Sequence, residues 1–217
     1  RTTINYEHTE QDDVPDGGIP TVGLNGGAVK ADTSKFYGSS DDFEEAKSDA
    51  FTIKFEQDIS DNTIFKNTSR YAKTNQEMLL TSPFNYSTTA LTVDRRMHAR
   101  WQENEILTNQ SNFSTQVQTG MLLHKISTGI ELTKESQLTK NYTAQNAQIT
   151  SLYNPTNISW DDLTFSGQKS DGETTTVGAY LFDSINIGEK VIFTGGGRFD
   201  KYDTTNDIIS STLVPST

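Results

Sequence analysis

Residues 176–203 read TVGAYLFDSINIGEKVIFTGGGRFDKYD, the pattern of two β-strands joined by a tight turn. In the first half two sets of side chains alternate with a period of two, as in a strand: Val177, Ala179, Leu181 and Ile185 in one set, and Gly178, Tyr180, Phe182 and Ser184 in the other. After a turn at residues 186–188, Val191, Phe193 and Phe199 share one face, whereas Lys190, Thr194, Arg198 and Asp200 share the other. The stretch therefore predicts a β-hairpin with one apolar and one charged face.

Three consecutive glycines, Gly195–Gly197, lie inside the second predicted strand. Glycine weakens a strand interior unless the sheet bends there or another group approaches the backbone closely. We therefore expect curvature at this point, as in the wall of a barrel.

The same alternation predicts further strands, and the connections between them fall into two classes. The strands are expected at residues 1–10, 50–58, 63–72, 106–118 and 122–134, and one more begins at 208–214. Short turns at 59–62, 119–121 and 186–188 contrast with long connections at 11–49, 73–105 and 135–175. Structureless loops of that length are uncommon inside compact soluble domains. Short turns at one end and long loops at the other are typical of outer-membrane barrels, whose strands of about ten residues cross the bilayer.

Composition excludes several classes of protein. The 217 residues are only 32% hydrophobic, and without an apolar run of about eighteen residues no transmembrane helix is expected. The strands of a barrel escape that test, because only alternate residues face lipid. Cysteine is absent, so neither a disulfide framework nor a thiol nucleophile is possible. The net charge of −11 argues against a nucleic-acid partner.

The sequence offers no catalytic or metal-binding constellation. His8, His98 and His124 are far apart and lack the spacing of metal ligands. Neighbouring carboxylates such as Asp161 and Asp162 point to opposite faces of an extended chain, so they do not form the facing pair of a glycosidase. We expect no catalytic residue, no metal site and no resident cofactor.

One cluster within residues 73–105 has the chemistry of a ligand site. Arginine offers a planar fork of donors to anionic oxygens, and aromatic faces stack on planar ligand rings. The candidate residues are Phe84, Tyr86, Arg95, Arg96, Arg100 and Trp101. Arg100 and Trp101 could instead belong to the next strand, with the tryptophan in an interfacial aromatic belt.

Four segments resemble the barrel of TonB-dependent outer-membrane ferric-siderophore receptors, the third of them the catecholate type in particular. The residues are Tyr180, Phe182, Asp183, Gly196, Arg198, Asp200 and Tyr202 in the opening hairpin; Val14–Pro20; Asn67–Tyr71 with Leu79–Pro83; and Asn109, Gln110, His124 and Gly129–Glu131. The resemblance implies an all-β fold, a transmembrane antiparallel barrel of about twenty-two strands to which this chain contributes roughly eight. It implies that residues 1–217 are barrel wall and loops, without the plug domain.

The resemblance also implies a function and a location. Such a protein lies in the outer membrane of a Gram-negative cell, in contact with its lipid, and transports without catalysis. Its outer loops capture a ferric siderophore, and the plug passes it inward when a TonB-type energy-transducing partner acts on it. Iron enters only as part of the siderophore complex. Phe51, Ile53, Phe55, Val191, Phe193 and Phe199 would face lipid, and Lys54, Glu56, Arg198 and Asp200 the lumen.

A soluble β-sandwich is the alternative, because two packed sheets also produce alternating strands. It would be a carbohydrate-binding or adhesin module with acidic binding loops. The asymmetry of the connections and the resemblance favour the barrel.

Overall fold

The computed structural model describes residues 1–21, 31–87, 89–188 and 190–210, which form eight β-strands. They are β1 (Thr2–Asp13), β2 (Phe43–Ser60), β3 (Thr63–Ser87), β4 (Thr92–Thr119), β5 (Leu122–Tyr142), β6 (Gln148–Ser151), β7 (Phe165–Ile187) and β8 (Val191–Ile209). The predicted all-β fold class is confirmed. Within these described ranges no helix is long and apolar enough to cross a membrane.

Seven strands form a single antiparallel sheet in the order β1-β2-β3-β4-β5-β7-β8. Apart from the short β6, each strand pairs with the strands that precede and follow it in the chain, so the sheet is a simple meander. The short β6 pairs instead with β4 at residues 92–95, beyond the point where β5 ends its pairing with that strand. The described residues form one sheet, with no second sheet packed on it.

Short turns join the strands at one end of the sheet, as predicted. Residues 61–62 connect β2 to β3, 120–121 connect β4 to β5, and 188–190 connect β7 to β8. Gly120 has φ of 61°, a conformation that glycine adopts without steric cost. The longer connections at the other end run over residues 14–42 and 143–164, somewhat shorter than the predicted 11–49 and 135–175. The predicted strand at 208–214 lies mostly outside the described residues.

The prediction of a long loop at residues 73–105 is wrong. β3 continues to Ser87 and β4 begins at Thr92, so this region is an extended hairpin. Residues 73–77 and 102–105 are polar on both faces, and apolar alternation therefore does not mark these parts of the two strands. Polar cross-strand pairs hold them instead: Lys73 Nζ lies 2.9 Å from a carboxylate oxygen of Glu105.

Strand register divides the long strands into two faces, because directly paired residues lie on the same side of a sheet. The outer face carries an apolar set that includes Ile4, Tyr6, Phe51, Ile53, Phe55, Tyr71, Leu107, Ile130, Leu132, Val177, Leu181, Val191, Phe193 and Phe199. The inner face carries Lys54, Glu56, Lys66, Arg70, Glu131, Arg198 and Asp200. The predicted division between apolar and charged faces is confirmed.

At one of the three consecutive glycines in β8, a steric reason explains why glycine is present. A methyl group on Gly196 would collide with the carbonyl oxygen of Leu181 and with the ring of Phe182. Glycine there lets the Phe182 ring lie across the neighbouring strand. Nothing lies within 4 Å of where a Cβ would be at Gly195 and Gly197, and the structure does not explain these two.

A polar patch interrupts the apolar outer face between β3 and β4. The side-chain amides of Asn67 and Asn109 donate to each other's oxygens at 3.1 and 3.2 Å. Asn67 also donates to Ser111 Oγ at 2.8 Å, and Asn109 to Ser69 Oγ at 2.7 Å. Both N–H groups of each amide are therefore bonded within the patch, which reduces the cost of placing amides on an apolar surface.

Candidate ligand-binding site

The extended hairpin of β3 and β4 presents three basic side chains on its inner face. Arg96, His98 and Arg100 alternate along β4 and pair across β3 with Ser82, Leu80 and Met78 in turn. All three basic side chains are exposed. The register continues without a break to the charged inner residues nearer the short turns, so the three lie on the same face as those residues. The arrangement offers hydrogen-bond donors and positive charge to an anionic ligand.

An aromatic ring stands beside this basic row. The guanidinium carbon of Arg96 lies 4.1 Å from the centroid of the exposed Phe84 ring, within the range of a cation–π contact. Phe84 follows Pro83, where the pairing of β3 with β4 shifts by a bulge. Bulges re-aim side chains locally, so the bulge accounts for an aromatic ring next to the arginine.

A cavity of about 600 Å³ adjoins the basic row. Its lining combines apolar, amide and basic groups: Met78, Leu80, Ser82, Met97, His98, Ala99, Arg100, Asn141, Tyr142, Ala144 and Gln168. Ser82 Oγ and His98 Nε2 lie 2.9 Å apart in it. A pocket with an apolar wall and a few convergent polar groups is typical of small-molecule sites.

The other three predicted ligand residues do not join this row. Arg95, adjacent to Arg96 in the chain, points to the outer side of the hairpin and is fully buried, 0 % exposed. Burial lowers the pKa of its guanidinium, and the charge of Asp42 acts against that shift. Its Nη1 donates to the carbonyl oxygen of Thr156 at 2.7 Å. Arg95 is thus a structural contact between elements in this conformation.

Tyr86 and Trp101 also have partners away from the basic row. Tyr86 is buried in an apolar cluster with Tyr37, Val93 and Leu152. Trp101 lies on the outer face, where Lys140 Nζ stands 4.5 Å from the centroid of the indole ring. The cluster of six predicted from the sequence is therefore split between the two sides of one hairpin.

Sequence reasoning missed His98 and the neighbouring Ser82. His98 was predicted to be an isolated histidine, yet it lies between Arg96 and Arg100 on the same face. The signal was present in the sequence, because Arg96, His98 and Arg100 occupy alternate positions. The sequence predicts a loop at residues 73–105, and alternate positions share a face only in a strand, so the prediction does not group His98 with the two arginines.

Tyr142 lies at the end of β5 that is farther from the short turns, and it fixes that end to the hairpin of β3 and β4. Its hydroxyl donates to a carboxylate oxygen of Glu77, and its ring stacks on Phe165 with the centroids 4.5 Å apart. Burial and the hydrogen bond to Glu77 raise the pKa of the Tyr142 hydroxyl above its ordinary value. The contact holds β5, β7 and the hairpin together beside the cavity.

Below the basic row, the inner face carries ion pairs within and between strands. Arg198 Nη2 lies 2.7 Å from Asp200 and 3.4 Å from Glu131 on β5. Lys66 Nζ lies 2.8 Å from Glu56 on β2. Acidic side chains outnumber basic ones in the whole chain, 29 to 18, but this row and these pairs bring basic groups to the inner face. Within the described ranges, no three His, Asp or Glu side chains converge as a metal site requires.

The fold and site define part of the wall of an antiparallel barrel, with short turns at one end and one extended hairpin, of β3 and β4, at the other. The family model for the TonB dependent receptor-like β-barrel matches residues 1–216. The chain belongs to this family, and the resemblance predicted from the sequence is confirmed. Members of this family are outer-membrane proteins, and the wall strands of this chain lie in the outer membrane. The alternative of a soluble β-sandwich module is wrong.

Relatives and solved structures agree. The chain is 33% identical to the catecholate siderophore receptor Fiu of Escherichia coli strain K12, over 95% of this chain and 30% of that protein. It is 26% identical to the probable TonB-dependent siderophore receptor PiuA of Acinetobacter baumannii, over 97% of this chain and 32% of that protein. The crystal structure of the ferric-catecholate import receptor Fiu in its open form matches with a TM-score of 0.88 at 32% identity, over 97% of this chain and 35% of that chain. The chain thus spans about a third of the length of these relatives, which are receptors rather than enzymes.

Proposed function

We propose that this chain is part of the wall and extracellular loops of a TonB-dependent outer-membrane receptor that imports ferric siderophores of the catecholate type. The receptor catalyses no reaction. Iron is cargo held by the siderophore, and the chain carries no resident cofactor. The observation that supports this most is the exposed basic row of Arg96, His98 and Arg100 with Phe84 beside it.

The chemistry of the row suits a ferric catecholate. Such a complex is anionic, because catechol oxygens bind iron deprotonated, and it presents flat aromatic rings. Arg96 and Arg100 would donate hydrogen bonds to the catecholate oxygens, and the Phe84 ring would stack on a catechol ring. Of the six residues predicted from the sequence, we assign direct contact to Phe84, Arg96 and Arg100. We assign Tyr86, Arg95 and Trp101 to the support of the hairpin.

The remaining partners follow from the family. A plug inside the barrel would meet the charged inner face, where Arg198, Asp200 and Glu131 form a connected group. The plug would in turn contact a TonB-type protein that supplies energy for import. Membrane lipid would cover the outer apolar face, and no nucleic acid takes part.

Uptake of radiolabelled iron by cells tests the proposal. Iron is supplied either as its complex with catechol or as its complex with citrate, which is anionic but not aromatic. Deleting the receptor gene should lower the initial uptake rate from the catechol complex and leave the citrate rate unchanged. The intact gene should restore uptake, whereas the triple variant F84A/R96A/R100A, present in the membrane at equal amount, should not. An uptake rate from ferric catechol that is indifferent to the deletion would overturn the proposal.

A further inference from the structure

Two extracellular segments, residues 37–42 and 152–160, are joined to each other across the outer side of the hairpin, and we call them together the loop clamp. Ser40 and Asn157 exchange two hydrogen bonds: the Ser40 backbone N–H donates to Asn157 Oδ1 at 2.9 Å, and Asn157 Nδ2 donates to Ser40 Oγ at 2.8 Å. Ser39 Oγ donates to the carbonyl oxygen of Ile158 at 2.8 Å. The segments lie more than a hundred residues apart in the chain, yet they are bonded side by side.

The loop clamp is fastened to the hairpin by buried polar groups. Trp160 Nε1 donates to Thr81 Oγ1 at 2.8 Å, and the Thr81 hydroxyl donates to Asp42 Oδ1 at 2.6 Å. Arg95 Nη1 lies 2.7 Å from the carbonyl oxygen of Thr156 in one segment and 3.5 Å from that of Gly38 in the other. One guanidinium on β4 therefore holds both segments.

An apolar cluster closes the same contact. Tyr37 and Leu152, one from each segment, pack with Val93 and Tyr86 of the hairpin, and all four are buried. The Tyr37 hydroxyl donates to the carbonyl oxygen of Leu152 at 2.5 Å. Opening the contact would expose this apolar cluster to water and break several buried hydrogen bonds at once. Groups bonded in one network are lost together, so the contact should break as a unit.

We propose that the loop clamp is a fixed part of the receptor that stays closed while the ligand enters and leaves, and that Arg95 is the positioning residue that fixes it. The clamp covers the outer side of β4, where Arg95 points, and leaves the inner side free, where Arg96 and Arg100 point. Its contacts thereby keep Arg96, His98 and Arg100 directed toward the inner side of the sheet. Any movement that captures ligand then occurs in other segments. The inference about ligand rests on the proposed function, but the rigidity of the clamp does not.

Hydrogen exchange in the detergent-solubilised full-length receptor tests the rigidity without any ligand. Amides of residues 37–42 and 152–160 should exchange at matching, slow rates, because they open together. The variant Arg95→Ala should speed exchange in both segments by about tenfold or more, and Lys140→Ala on the outer face should leave both rates unchanged. Acceleration of only one segment, or of neither, would overturn the proposal.

A cysteine pair tests whether the clamp must open. This chain contains no cysteine, so S40C/N157C introduces a pair that has no competitor within it. Oxidised and reduced receptor should bind the ferric complex of catechol with affinities within about twofold of each other. A loss of about tenfold on oxidation that reductant reverses would show that the clamp opens during binding. Failure of the pair to oxidise would contradict the contact itself.

Rescue separates positioning from direct contact at Arg95. Arg95→Ala alone should weaken binding of the ferric catechol complex by about fivefold or more, because the basic row loses its support. In R95A/S40C/N157C, oxidation should restore most of that affinity by fixing the segments without the guanidinium. A loss that oxidation does not restore would assign Arg95 to the ligand and overturn its positioning role. If wild-type receptor does not bind ferric catechol, the proposed function fails, while the exchange rates still decide the clamp.

Discussion

Neighbouring arginines on β4 have opposite surroundings, and the alternation of a strand is the reason. Arg95 points outward, where loop residues bury it and two carbonyl oxygens face its guanidinium. Arg96 points inward and remains exposed beside Phe84. Two residues of identical chemistry thus have different roles in this account: Arg95 holds the structure, and Arg96 is the one proposed to contact ligand. At this scale, direction relative to the sheet decides a residue's role more than its type does.

Trp160 should stabilise the loop clamp through its indole N–H. The variant Trp160→Phe keeps an aromatic ring but removes the donor to Thr81, so we expect local opening of residues 37–42 to become about 1–2 kcal/mol easier. Hydrogen exchange of these amides measures that free energy. Trp101→Phe is the matched control, because Trp101 lies outside the clamp, and it should change the opening free energy little. Equal effects of the two variants would contradict the assignment.

The hydroxyl of Tyr142 should ionise at a higher pH than an ordinary tyrosine, and its contact with Glu77 should weaken at alkaline pH. Its pKa is raised from 10.0 by burial and by the bond to Glu77, so the folded state favours the protonated hydroxyl. The stabilisation is fully present below pH 10 and is lost as the pH rises from there through the raised pKa. An absorbance titration of tyrosinate in wild type minus Tyr142→Phe should show one tyrosine that ionises above the ordinary range. A difference curve centred on the ordinary pKa would contradict the buried contact.

At the scale of elements, the sequence predicts strands well where one face is apolar and poorly where both are polar. An apolar outer face gives residues 50–58 and 176–187 their alternation, and the sequence predicts both strands. Residues 73–77 of β3 and 102–105 of β4 are polar on both faces, and cross-strand polar pairs such as Lys73 with Glu105 sustain them. Such pairs are set by register, which a single strand's sequence does not reveal.

Lysine substitutions at two adjacent positions of β5 should distinguish the two faces of the sheet. Leu132 lies on the outer face and Thr133 on the inner face, so a single residue separates lipid from lumen. Leu132→Lys should destabilise the receptor in phospholipid vesicles, by up to about 2–4 kcal/mol, because the lysine would replace an apolar side chain on the face turned to lipid. Thr133→Lys should cost clearly less. Reversible unfolding in denaturant measures both, and a reversed order would contradict the assignment of the faces.

The polar patch on the outer face should behave as one coupled unit. Each amide of Asn67 and Asn109 is the other's partner, so replacing either leaves the second unpaired. We expect Asn67→Ala and Asn109→Ala to be non-additive, with a coupling of about 1 kcal/mol in a double-mutant cycle. The double variant should cost little more than either single one. Strictly additive losses would show that the two amides act independently.

At the scale of the whole molecule, the proposed function rests on which charges share the inner face rather than on net charge. The chain carries −11 overall, which by itself disfavours an anionic ligand. The hairpin nevertheless places Arg96, His98 and Arg100 on one exposed inner face. Composition argues against nucleic acid as a partner, but it could not locate a basic row within an acidic chain.

The structure brings three of the six predicted ligand residues, Phe84, Arg96 and Arg100, to one side of the hairpin. Residue chemistry alone could not separate them from Arg95 and Tyr86, because arginine and aromatic rings all suit an anionic aromatic ligand. The burial of Arg95 and Tyr86 depends on segments far away in the chain, residues 37–42 and 152–160. His98 was missed because its face is defined only when the region is known to be a strand.

Binding of a ferric catecholate to the purified full-length receptor tests the central claim most directly. Titration with the ferric complex of catechol should give saturable binding in wild type, with R96A/R100A weaker by about tenfold or more. Lys140→Ala is the matched control, because it removes a positive charge at the same height on the opposite face, and it should bind like wild type. Equal affinities for all three proteins, or no saturable binding in any, would contradict the account.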